Sequence, residues 1–279
     1  LYLRDWVILY GEIFPDLDKD KLDGILEEGL RRLQNFILPE GNFSFWPSER
    51  YPASEWTNVY VTHLLVEANS RGFFLQSFVD KTIEYQRAKA RAKIESPKAQ
   101  CYRLFVLSLN SSPDFSSMNL LKENYLSKLE KQDKLILAAS YAQAKDYERA
   151  REVLENIEKV EEIYGSTEYF YSRMGYFGNY LYFLSKIDKE LAFKIFSANS
   201  KVLKNGWWST HDIGWFCAGL SSYLKEIKVS TEKIKAKIKF PEKEEEIEKD
   251  TNIYSIDLKD YFSKVIKIKN KGNSTLFLD

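Results

Sequence analysis

The feature that most constrains this chain is the recurrence of helix-length apolar patterns from residue 1 to about residue 228. Leu22, Ile25, Leu26, Leu30, Leu33 and Phe36 fall on one face at a 3.6-residue period. Val61, Leu64, Leu65 and Ala68 repeat this in the next element. Further patterns open at Tyr2 and near Leu75, Lys98, Met118, Lys131, Tyr147, Thr167, Lys189 and Ser209, which makes about eleven helices. Pro15, Pro39, Pro47, Pro52, Pro97 and Pro113 stand at their borders. None is mid-helix, where proline costs about 3 kcal/mol. Short connections between the patterns predict antiparallel helical hairpins.

Two stretches echo each other. "EGNFSFWPSERYPASEWTNVYVTHLL", from Glu40, has a glycine (Gly41), an aromatic cluster with Trp46, a serine cap at Ser54, and a helix opening on Glu55 and Trp56. "NGWWSTHDIGWFCAGLSSYL", from Asn205, compresses the same elements: Gly206, Trp207 and Trp208, then Ser209. Ser209 and Asp212 have a capping-box spacing, with Asp in place of the usual Glu. Gly214 and Gly219 predict close approach of another backbone inside that helix. Paired helices re-entering through Gly-aromatic loops predict a mainly α fold, an α/α toroid in which outer helices cover inner ones.

From about Val229 the period changes to two. "KIKAKIKF", "NIYSIDL" and "KVIKIKN" read as strands, and "NKGNSTLFLD" as a turn with a last strand. The charge run "PEKEEEIEKD" between the first two reads as a solvated connector. So few strands predict an incomplete sheet that needs strands from a longer parent chain. The resulting division is a toroid over 1–228 and β strands over 229–279.

Bulk properties exclude several classes. Lys plus Arg equals Asp plus Glu, 41 each, so no basic excess recommends nucleic acid or an anionic membrane. No apolar run reaches the roughly 18 residues of a spanning helix. "LYLRDWVILYGE" carries Arg4 and Asp5 and lacks a cleavage site, so it does not read as a signal peptide. Without a starting Met, the chain reads as a piece of something longer. Cys101 and Cys217 sit among helix-periodic apolar residues and read as small buried hydrophobes, with a pairing left open. No CxxC or HExxH spacing occurs, so neither metal nor cofactor is implied.

The motifs resemble the thioester-containing domain of bacterial alpha-2-macroglobulin-like proteins, relatives of the complement family. "LRRLQNFILPEGNFSFWPS" with "SEWTNVYVTHLLVEANSRGF" is similar to that family's helix, Gly-x-Phe-x-Trp-Pro loop and next toroid helix. "GWWSTHDIGWFCAGLSSYL" is similar to its Trp-x-Ser-Thr-Gln helix start, with His211 where glutamine is usual. "KVIKIKNKGNSTLFLD" is similar to the strand and turn that lead back to a CUB-like β domain. The resemblance implies a secreted or periplasmic protease trap without enzyme activity. It implies two kinds of partner: proteases as targets, and neighbouring macroglobulin-like domains of the same chain. The family's chemistry rests on Cys-x-Glu-Gln, whose thiol and side-chain amide form an internal thioester. Here Cys101 continues "CYRL" and Cys217 continues "CAGL". Either the motif precedes Leu1 or this member has none.

On this reading Gly41, Trp46, Ser54, Trp56, Gly206, Trp208, Ser209 and Asp212 shape helix starts and loops. His211 and Asp212 are adjacent, hence about 100° apart on a helix, and form no dyad with each other. His211 is expected to bond locally, His63 to be a satisfied, partly buried histidine, and Trp207, Trp208 and Trp215 to pack. Asp16, Asp18 and Asp20 in "DLDKD" resemble a cyclase acid motif but precede a helix, where they act as caps. Two other readings stay open. A glycan-active α/α barrel would set Glu55 and Asp212 about 5 to 10 Å apart, with Trp46, Trp56 and Trp208 stacking on sugar. A scaffold without a thioester would bind proteases or neighbouring domains non-covalently.

Overall fold

The computed structural model describes residues 1–10, 17–47, 49–73, 75–157, 173–199, 209–227, 234–249 and 264–272. In order, these form α1 (Tyr2–Tyr10), α2 (Lys19–Leu33), α3 (Glu55–Ser70), α4 (Gln76–Ala90), α5 (Pro97–Leu109), α6 (Phe115–Tyr125), α7 (Lys131–Gln143), α8 (Tyr147–Glu155), α9 (Arg173–Leu184), α10 (Lys189–Asn199) and α11 (Thr210–Ile227). Three strands follow: β1 (Ile234–Lys239), β2 (Glu244–Lys249) and β3 (Lys267–Asn270). The residues before Arg173, near the expected helix start at Thr167, lie outside the described set.

The helices are of two kinds. The even-numbered ones are amphipathic: α2 fully buries only Leu30, α8 only Ala150 and Val153, α10 only Ala192 and Ile195. Of the odd-numbered helices, α5 and α7 are enclosed. Every residue from Ala99 to Ser108 in α5 and from Leu135 to Ala142 in α7 is buried. A helix apolar on all sides must be covered on all sides. Contacts accordingly run α3–α5–α7–α9–α11–α1, and the even-numbered helices pack outside. This is an α/α toroid. Caps fix its starts: Ser54, Ser96, Asp114 and Asp146 each accept an amide three residues on, and Pro97 opens α5. Asp18 caps α2, accepting from the amide of Asp20. Ile25 is 60% exposed, because an outer helix needs only a narrow apolar stripe.

Rings fill the middle. Phe105 and Phe183 meet edge to face at 4.8 Å, and Trp215 lies 5.8 Å from Tyr182 and 6.2 Å from His63. A buried polar relay runs through them. Tyr182 Oη donates to Glu67 Oε1 at 2.6 Å, so it accepts from His63 Nε2 at 2.9 Å. His63 Nδ1 is hydrogen-bonded to Tyr102 Oη at 2.8 Å. Glu67 pairs with Arg71, which closes α3 and reaches Asp5 of α1 at 2.9 Å. The Arg71 guanidinium also lies 5.0 Å over the Tyr2 ring. Arg71 thus ties the seam between α1 and α3. Burial opposes ionisation of Glu67, but His63 and Arg71 outweigh it and hold the carboxyl well below its usual range.

Helices α9 and α11 touch backbone to backbone. A Cβ at Gly178 would collide with Trp215 and Phe216, and one at Gly219 with the Gly178 backbone. Gly219 is the close approach expected from the sequence. Gly214 is not: nothing lies within 4 Å of its would-be Cβ. The unforeseen partner is Gly178.

The strands form an antiparallel sheet in the order β2-β1-β3. Ala236, Ile238, Phe240 and Ile247 make its buried face. One expectation is overturned here. The charge run is not a connector: Glu244–Lys249 is β2, joined to β1 by a tight turn in which the Phe240 amide donates to Lys243 O at 2.8 Å. Ile247 points inward, while Glu244 and Glu248 bond to lysines of β1. "NIYSIDL" and most of "NKGNSTLFLD" lie outside the described residues.

Two predictions follow from the ring. Gly178→Ala and Gly219→Ala should each destabilise by about 2 kcal/mol through forced overpacking, whereas Gly214→Ala, in open space, should stabilise by up to about 1 kcal/mol. Urea unfolding followed by circular dichroism separates them; equal midpoints would refute the close crossing. Glu67→Gln should cost about 2 kcal/mol at pH 7, because it removes one of the two carboxylates that half-buried Arg71 holds and leaves it Asp5 alone. The native Glu67 carboxyl titrates below its unfolded value of about 4.3, so its stabilisation is whole above that pH and fades as acidification passes the depressed native pKa. The variant's melting temperature should therefore fall less steeply below about pH 4.3 than the wild type's. Identical acid limbs would remove this role from Glu67.

Candidate functional site

The residues singled out in the sequence gather where the inner helices start. At the head of α11, Ser209 Oγ accepts from the Asp212 amide at 3.1 Å. Asp212 Oδ2 accepts in return from the Ser209 amide at 3.1 Å and its hydroxyl at 2.9 Å. This is a reciprocal capping box with Asp doing what Glu commonly does. Asp212 is 3% exposed and lies against Gly175 of α9, where a Cβ would strike its carboxylate. His211 turns elsewhere. Its Nε2 accepts from Trp215 Nε1 at 3.2 Å, one helical turn on. Its ring lies 5.8 Å from Tyr60 and 6.3 Å from Trp56. Burial lowers its pKa, with Asp212 opposing, so the ring is neutral at pH 7. The pair is a cap and a packed ring.

Glu55, at the head of α3, meets Arg103 Nη2 at 3.4 Å and Lys89 Nζ at 3.9 Å. Arg103 is 3% exposed and also donates to Gln86 and Gln100. Glu55 is therefore the counter-charge of a buried guanidinium. The two carboxylates of the glycan-active reading are thus both engaged: Glu55 in an ion-pair cluster, Asp212 in a cap. A general acid and base need a free proton position facing a substrate. Trp56 stacks on Tyr60 at 5.1 Å rather than standing out for a sugar. Gly206, Trp207 and Trp208 lie outside the described residues.

The loop before α3 is held by a residue the sequence reading passed over. Asn58 Oδ1 accepts from the Phe43 amide at 2.6 Å, and its Nδ2 donates to Ala53 O at 2.9 Å and Ser54 O at 3.0 Å. Gly41 has φ +94°, and an added Cβ would lie 2.5 Å from Lys81 O. Ser54 caps α3 through the Thr57 amide at 3.1 Å. Phe43 is buried, but Phe45, Trp46 and Tyr51 are exposed on this rigid corner, Trp46 by 67%. Trp46 is a surface residue.

Both cysteines are free. Burial raises the Cys101 and Cys217 thiols, which makes each a poor nucleophile. Among the described residues no group of three His, Cys, Asp or Glu side chains is placed to hold a metal, and no helix is long and apolar enough to cross a membrane. Arg103 was detectable in principle: an arginine inside "AQCYRLFVL" must find a buried partner. Arg71 gave no such signal.

No protein-family model and no curated protein matches the chain. Solved structures do. Trypsin-activated alpha-2-macroglobulin from Escherichia coli superposes with TM-score 0.65 at 15% identity, over 92% of this chain and 18% of that one. The Escherichia coli protein activated by porcine elastase gives 0.63 at 16%, over 91% and 22%. Native Escherichia coli alpha-2-macroglobulin from domain MG7 to the C-terminus gives 0.60 at 16%, over 92% and 42%. The chain spans less than half the length of each. Its helical ring followed by strands has the fold of a part of bacterial alpha-2-macroglobulin that lies between domain MG7 and the C-terminus.

Proposed function

We propose that this chain is the thioester-domain-like part, with strands of a CUB-like β portion, of a bacterial alpha-2-macroglobulin-like protease inhibitor. The division falls near residue 228, between the end of α11 and the start of β1. One observation carries the reading: the likeness of fold extends over 91–92% of the chain. The rim geometry supports it, since Glu55, His211 and Asp212 serve packing and capping. On this reading the domain shields an acyl group carried elsewhere, because neither Cys101 nor Cys217 is followed by Glu-Gln. Gly41, Ser54, Trp56, Ser209 and Asp212 keep the ring's corners closed, and neighbouring macroglobulin-like domains of the parent complete the shield. The parent acts outside the cytoplasm, secreted or periplasmic, on proteases as targets, and has no enzymatic turnover.

The test uses the whole parent protein mixed with equimolar trypsin or elastase. Cleavage of a large protein substrate should slow far more than cleavage of a small chromogenic peptide. Equal rates with and without the parent would defeat the proposal. If Cys-x-Glu-Gln precedes Leu1, methylamine should also release a thiol; trapping without that release assigns the non-covalent form.

A further inference from the structure

The corner that leads into α3 carries an apolar surface that its own fold does not use. Two antiparallel bridges build it, Ile37 with Phe43 and Ser44 with Pro52. The second sets Phe45 across from Tyr51, with Trp46 and Pro47 at the tip between them. Phe45 is 60%, Trp46 67% and Tyr51 81% exposed. The backbone beneath these rings is pinned. Ser44 Oγ donates to Trp46 O at 2.7 Å. The Trp46 amide donates to Glu49 Oε2 at 3.3 Å, and the Glu49 amide donates back to Trp46 O at 3.3 Å. The Ala53 amide closes the base on Phe43 O at 2.7 Å. From Phe45 to Pro52 the charged residues are Glu49 and Arg50, which cancel.

Single exposed aromatics are ordinary on a protein surface; three adjacent ones on a pinned backbone are not. Trp and Tyr are enriched among the anchors of interfaces, and a preorganised loop loses little freedom when it docks. Without net charge, the patch has nothing to offer a phosphate or an anionic surface. Its size selects the partner. The three rings present roughly 400 Å². That is about half of the roughly 800 Å² per side that a stable contact between separate proteins covers. A domain tethered in the same polypeptide needs less, because its effective concentration is in the millimolar range. We propose that Phe45, Trp46 and Tyr51 are the docking surface for a neighbouring domain of the same polypeptide, which receives Trp46 in an apolar recess with an uncharged rim. The inference rests on the reading of this chain as part of a longer inhibitor.

The test reads Trp46 in the whole parent, as the fluorescence of the wild type minus that of Trp46→Phe. Acrylamide should quench this difference about fivefold less than it quenches N-acetyltryptophanamide, because a docked anchor is desolvated. In the double variant Phe45→Ser, Tyr51→Ser the quenching should rise about threefold through the lost apolar contact. Circular dichroism confirms that each variant is folded; should the double variant unfold, the Trp46 difference decides alone. A difference signal as quenchable as N-acetyltryptophanamide overturns the proposal. So does protection that disappears on dilution from about 10 to 0.1 μM, which assigns the patch to a second copy. Protection that appears only with phosphatidylcholine vesicles also overturns it and assigns the patch to a membrane. Protease trapping is measured on the same preparations. Trapping with an exposed Trp46 removes the docking surface and leaves the inhibitor reading; a covered Trp46 without trapping keeps the surface and removes that reading.

Discussion

Arg71 is the interaction on which the ring most depends. It sits at the end of α3, balances the buried Glu67 carboxylate, and reaches out of its own helix to Asp5. Through Glu67, Tyr182, His63 and Tyr102 its charge is wired to α5 and α9. An apolar seam between α1 and α3 could slide by a turn and lose little. A guanidinium that must satisfy two carboxylates has few acceptable positions. The relay thus fixes register, because losing either carboxylate leaves the guanidinium half-compensated.

The same logic governs the rim. Residues that resemble an active site when read as a string have their polar atoms directed at neighbouring backbone or at buried counter-charges. Asp212 serves the first turn of α11, Glu55 serves Arg103, and Asn58 clamps the loop that leads into α3. Ring faces that could have stacked on a ligand pack against one another, Trp56 stacked on Tyr60 and Tyr60 tilted against Trp215. Chemistry needs a polar group whose lone pair or proton faces a substrate. Corner-building needs the reverse.

How much of this was legible follows from the range of each interaction. Helices were legible because their cause is local: apolar period, proline borders, serine and aspartate caps. Even the misplaced start of α6, expected near Met118 and found at Phe115, is explained by Asp114, whose cap fixes the boundary. The capping box at Ser209 was legible because its partners are three residues apart. β2 was missed because, of Glu245 and Ile247, which pair with Ile238 and Ala236 of the buried face, only one is apolar; its register exists only beside the lysines of β1. The relay was invisible because Glu67 and Tyr182 are 115 residues apart and become partners only when the ring closes. Gly178 failed to register for the same reason: its need for a missing side chain arises from α11.

The contact of Gly178 with Gly219 bears on how such a ring can deform. Two helices separated by side chains can shear, because rotamers readjust to each new offset. Main chains in direct apposition have no such compliance, so α9 and α11 travel as a single rigid plate. Any deformation of the toroid must then be taken up at helix contacts where side chains, not main chains, meet.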